Sequence, residues 1–120
     1  MKRVLVLALP LALLAASGCG GSDVKQPPVD KTNLPGSALN CLEANNIPAR
    51  QTGENGDELV LDAGPKITFY LTADEAIAEQ FRGRGEGAEQ IGTALLFVPP
   101  ETSKKNDDLL HAVEVCLARL

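Results

Sequence analysis

Aromatic side chains are scarce in this chain: no tryptophan, one tyrosine and three phenylalanines among 120 residues. A hydrophobic core must therefore be assembled from Leu, Val, Ile and Ala, and at this length there is room for one small domain. There is a single histidine, His111, and neither Ser37 nor Ser103 stands in a G-x-S-x-G context, so the sequence offers no nucleophile–base pair of a recognisable kind. Cys-x-x-C spacing is also missing, which removes the usual arrangement for lowering a thiol pKa. Positive charge is in short supply. Eleven Lys and Arg stand against 16 Asp and Glu, for a net charge of −5. The first 18 residues hold two of the cations and no acid, so the rest of the chain stands at −7. Such a surface repels nucleic-acid phosphates and anionic headgroups alike, which excludes DNA or RNA as a partner and predicts a domain that stands off a bilayer.

What is present begins with Lys2 and Arg3, followed by an apolar run of 13 residues over 4–16 and then small residues. This is the layout of a secretory signal. Thirteen residues are too few to cross about 30 Å of hydrocarbon as a helix. A buried N-terminal helix of the mature fold is the competing reading; Pro10 and the lack of any polar face in the run oppose it. Ala16-Ser17-Gly18-Cys19 closes the signal and resembles the lipobox of bacterial prolipoproteins, with Ala16 where that family most often has Leu. The resemblance covers about the first 20 residues. It implies that Cys19 receives a diacylglyceryl group, that cleavage leaves it as the first residue, and that lipoprotein-processing enzymes act on the precursor. The implied location is extracytoplasmic, on a bacterial membrane, with covalent lipid on Cys19 in place of any cofactor. Two or three acyl chains anchor stably where one does not, at about 0.8 kcal/mol per buried methylene.

Residues 20–36 carry three Gly and three Pro and are read as a flexible tether with a mean reach of roughly 20–25 Å. The globular part is then 37–120. Ser37 is placed as N-cap of a helix over 38–45 that ends at Asn45-Asn46, and residues 47–52 as an extended edge segment confined to a sheet margin by Pro48. Asn55-Gly56 marks a turn. Strands over 58–62 and 66–71 put Leu59 and Leu61 on one face, and Ile67, Phe69 and Leu71 on the matching one. The two sets meet across an odd-numbered connection; with 63–65 as the loop, Leu61 faces Ile67, Leu59 faces Phe69 and Tyr70 lies opposite Glu58. Thr72 and Glu75 form a capping box for a helix to about Phe81 with Ala76, Ile77 and Phe81 inward. Residues 82–87 are loop, 91–98 one central strand ended by Pro99-Pro100, and Asn106 caps a last helix whose apolar stripe is Leu109, Val113, Cys116, Leu117 and Leu120. The order predicts an α+β domain: a small, mainly antiparallel sheet of three or four strands with about three helices on one face.

If lipid consumes Cys19, Cys41 and Cys116 remain as an even pair in an oxidising setting, and a disulfide is the expectation. It would join the first helix of the domain to the last.

Three groups offer chemistry. Asp107, Asp108 and His111 fall at i, i+1 and i+4 of one helix and could share a metal, although acids in a first turn already answer the helix dipole and His111 points away from the apolar stripe. Arg82 and Arg84, in a Gly-rich loop, could nest an anion; but phosphate loops join a strand to a helix start, and this one follows a helix. Tyr70, on the outward side of its strand, could contact a protein. The reading that fits the whole chain is a lipid-anchored envelope module, non-catalytic, with a protein partner the sequence does not name. The alternatives are a small hydrolase or metal-dependent enzyme using His111 with Asp107 and Asp108, or an anion sensor using Arg82 and Arg84.

Overall fold

The computed structural model describes residues 24–82, 87–105 and 107–120. Among them a five-stranded antiparallel sheet is packed with four helices, an α+β fold. The elements are α1 (Leu34–Ala44), β1 (Ala49–Thr52), β2 (Glu58–Leu61), β3 (Lys66–Phe69), α2 (Ala73–Phe81), β4 (Ala88–Ile91), β5 (Ala94–Phe97), α3 (Pro100–Lys105) and α4 (Asp107–Ala118). Strand order is β1-β2-β3-β5-β4, so β5 is interior and β1 lies on an edge, the place Pro48 assigns to it.

The core forms where the sheet meets α1 and α4. Leu59, Leu61, Ile67, Phe69, Ala94 and Leu96 project from one sheet face onto Ala38, Cys41 and Leu42 of α1 and Val113, Cys116 and Leu117 of α4. The stripe expected on α4 is the buried one, with Leu109 and Leu120 packed at its margins. Leu95 points to the opposite face by the pleat, and it is buried together with Ala76 of α2 outside that cluster. Since α2 lies against β4 and β5, it covers the second face at that end of the sheet, whereas α1 and α4 share the first.

The β2–β3 register differs from expectation by two residues. Leu59 faces Ile67 and Glu58 faces Thr68, while Leu61 N–H donates to the Pro65 carbonyl at 2.9 Å and the Leu61 carbonyl accepts from Gly64 N–H at 2.9 Å. The connection is therefore 62–64. Pro65 fits a paired position because only its carbonyl is used there, Gly64 supplying the N–H that proline lacks. The loop keeps its odd length, so every side chain keeps its face. Tyr70 does not lie opposite Glu58; its N–H donates to Thr93 O at 2.8 Å.

Three further boundaries move. α1 starts at Leu34 with Asn33 as N-cap, its Oδ1 accepting from Gly36 N–H at 3.0 Å, and Ser37 is buried inside the helix. Residues 91–98 are not one strand: Gly92 at φ +61 and Thr93 form a two-residue turn that sets Ile91 opposite Ala94, so the apolar run supplies β5 and only the last residue of β4, whose other residues, Ala88, Glu89 and Gln90, precede it. On α2, Ala76 is buried but Ile77 is 37% and Phe81 83% exposed. The helix seats on the side of Ala73, Ala76 and Gln80, where a small side chain permits close approach and Gln80 Nε2 donates to Ala88 O at 2.8 Å.

Candidate functional site

At the N-terminal end of α1 a cleft of about 530 Å³ opens between three segments: residues 31–35, the β1–β2 turn and the end of β3. Each wall has a local cause. The first is held by Asp30, whose Oδ1 accepts from both Thr32 N–H at 2.9 Å and Thr32 Oγ1 at 2.6 Å. Those bonds keep the Asp30 carboxyl below its usual pKa, the hydroxyl contributing more than the amide. The second is a turn with Gly53 at φ +91 and Gly56 at φ +68, braced by Gln51 Nε2 donating to Gly56 O at 2.7 Å. The third brings Tyr70, half-buried, and Leu71, 89% exposed. Leu71 N–H is held by the Glu75 carboxylate at 3.1 Å while Glu75 N–H donates to Thr72 Oγ1 at 3.2 Å, so the capping box also fixes this rim.

The lining is amphipathic. Pro35 and Leu71 give apolar surface, Gln51 and Asn55 amide groups, Lys31 and Asp57 one charge of each sign. Its volume falls within the range of small-ligand and peptide-anchor pockets. No His or Cys lines it, and its one hydroxyl on a short side chain, Thr32, is engaged with Asp30.

The residues singled out in sequence lie elsewhere, Tyr70 excepted. Tyr70 borders both this cleft and a smaller depression of about 290 Å³ with Glu75, Ala78, Glu79 and Arg82. There Arg82 is ion-paired with Glu79, so an anion would have to displace a carboxylate; Arg84 lies outside the described residues. Asp107, Asp108 and His111 are exposed on α4. Among the described residues no group of three or more His, Cys, Asp or Glu side chains is placed to hold a metal ion.

Cys41 and Cys116 are joined in a disulfide, with Cα atoms 5.8 Å apart and both residues fully buried. Asn45 stands beside it: its Nδ2 is 3.9 Å from each sulfur and donates to Cys41 O at 2.8 Å. Asn45 also closes α1. Asn46 takes φ +61, Ile47 N–H donates to Leu42 O and Asn46 N–H to Glu43 O, a Schellman ending sealed by buried Ile47 on Leu42. Cys19 lies outside the described residues, and no described helix is long and apolar enough to cross a membrane.

The cleft was not legible in sequence because its walls come from three separated turns, none with a chemical signature. Alternation places Leu71 on the core face, so nothing in the sequence marks it as the exposed rim beside Tyr70. No protein-family model, curated protein or solved structure matches this chain.

Proposed function

We infer that this protein is a lipid-anchored extracytoplasmic module of a bacterial envelope, acting by binding a partner through the cleft and not by catalysis. The observation that carries the reading is the disulfide between Cys41 and Cys116. A buried disulfide of this kind belongs to an exported, oxidising setting, and it leaves Cys19 as the one remaining cysteine, in the stretch that resembles a lipobox. Attachment through that thiol supplies the anchor; the amphipathic cleft supplies a surface to display.

Two measurements test it. Full-length protein expressed in a bacterium with labelled palmitate should incorporate the label and need detergent for extraction, and Cys19→Ala should lose both. Incorporation that persists in the variant would refute the anchor. For the cleft, a photo-crosslinking residue at position 71 should capture an envelope protein in intact cells while the same residue at position 111 captures none. Equal adducts from both positions would remove the cleft from the account.

A further inference from the structure

Residues 24–33 form a strap folded back along α1. Val24 packs against the core. Lys25 is held on both sides of its backbone by Asn45, whose Oδ1 accepts from Lys25 N–H at 2.7 Å and whose Nδ2 donates to Lys25 O at 2.9 Å. Farther along, the Ser37 hydroxyl accepts from Asp30 N–H at 2.7 Å and donates to Asp30 O at 3.1 Å. The chain then turns through Asn33 into the helix. The strap thus starts at the C-terminal end of α1 and finishes at its N-terminal end, against the cleft.

This changes the length of the leash. From Cys19 to Val24 is five residue steps, which span at most about 18 Å even when fully extended. A coil running to residue 36 would reach farther; five residues keep Val24 close to the point of lipid attachment. The 11 residues of α1 cover about 16 Å, so the cleft lies one helix length beyond the point of attachment. Most exposed residues around that point are polar, Lys25, Gln26, Glu43 and Asn46, with Pro48 the exposed apolar one beside them. Among the described residues the exposed large apolar side chains, Leu71, Ile77, Phe81 and Phe97, belong to the cleft rim, α2 and β5. The first set suits contact with headgroups without insertion, and the second suits a protein partner.

We propose that the strap orients the domain on the bilayer, with the Asn45 end of α1 resting at the lipid headgroups and the cleft at the other end facing outward. The proposal rests on lipid attachment at Cys19. The chain has no tryptophan, so an introduced one is a clean energy donor. Full-length lipidated Glu43→Trp and Asn55→Trp, each in phosphatidylcholine vesicles with a dansyl-labelled headgroup, should differ in transfer efficiency by at least about twofold in favour of position 43. Adding Asn45→Ala, which frees the Lys25 end of the strap while Asp30 stays tied to Ser37, should narrow that difference. Equal transfer in the parent pair overturns the orientation, and a difference untouched by Asn45→Ala overturns the strap as its cause; both leave the anchor standing. Lack of palmitate label in the same preparations overturns both.

Discussion

Glu89, on the edge strand β4, meets Glu114 of α4 carboxyl to carboxyl across the margin of the core face. Burial first, then a hydrogen bond to Glu114 and its negative charge, push the Glu89 pKa above the ordinary value of 4.5. A folded-state pKa raised above the unfolded one stabilises the fold below the unfolded value, and that contribution is lost as pH rises through the folded value. Ionising Glu89 sets a partly desolvated negative charge beside the Glu114 side chain. Glu89→Gln should therefore melt higher than wild type at pH 7, by about 1–3 °C for a pair this near the surface, with the gap closing by about pH 4. Thermal scans across that range decide it, and a gap independent of pH would rule the pair out as the cause.

Asn45→Ala should cost about 1–2 kcal/mol in urea unfolding, because it strips partners from the backbone N–H and carbonyl of Lys25 and from Cys41 O. Hydrogen exchange at the Lys25 amide should accelerate well beyond the change at Leu42. If the two amides respond alike, the strap does not hang on this side chain.

The disulfide closes a loop with a sequence separation of 75, and in the chain-entropy account its removal costs about 4 kcal/mol. Cys41→Ala with Cys116→Ala should lower the denaturation midpoint, and reductant should lower wild type toward the variant without moving the variant. Because both sulfurs are buried, reduction of the native protein should be slow and should track opening of the fold. Rapid reduction under native conditions would contradict that shielding.

Gly64 and Gly92 both need positive φ, yet they should differ in tolerance. A Cβ at Gly64, φ +123, would stand 2.9 Å from Thr102 Oγ1, the atom that donates to Ala63 O; one at Gly92, φ +61, would meet nothing within 4 Å. Gly92→Ala should cost about 1–2 kcal/mol from backbone conformation alone. Gly64→Ala should cost more, on the order of 2–4 kcal/mol, since it also dislodges the tie between the β2–β3 turn and α3. Equal unfolding free energies would mean that this tie contributes little.

Sequence patterns were readable where one residue type answers one local demand. Thr72 and Glu75 capped α2 as their spacing required, Asn46 ended α1 in the left-handed region, and the stripe on α4 was buried as written. Alternation identified Leu59, Leu61, Ile67 and Phe69 as core, and parity alone kept them on one face although the register slid by two. Pattern does not predict burial at Leu71, Ile77 and Phe81, whose apolar side chains are exposed. It fails also at residues 88–98, where a polar strand and a Gly-Thr turn were hidden beside an apolar run.

The amino-acid order by itself determined the α+β composition and the small aliphatic core, because these follow from periodicity and residue size; it pointed to the Cys41–Cys116 pair only once Cys19 is set aside from the three cysteines. Only the tertiary structure decided that residues 24–33 lie along α1, that Pro65 stands opposite Leu61, and that three distant turns enclose a cleft beside Tyr70. Those outcomes depend on contacts between segments far apart in the chain, and a strap or a cleft exists only once the surfaces on both of its sides have been brought together.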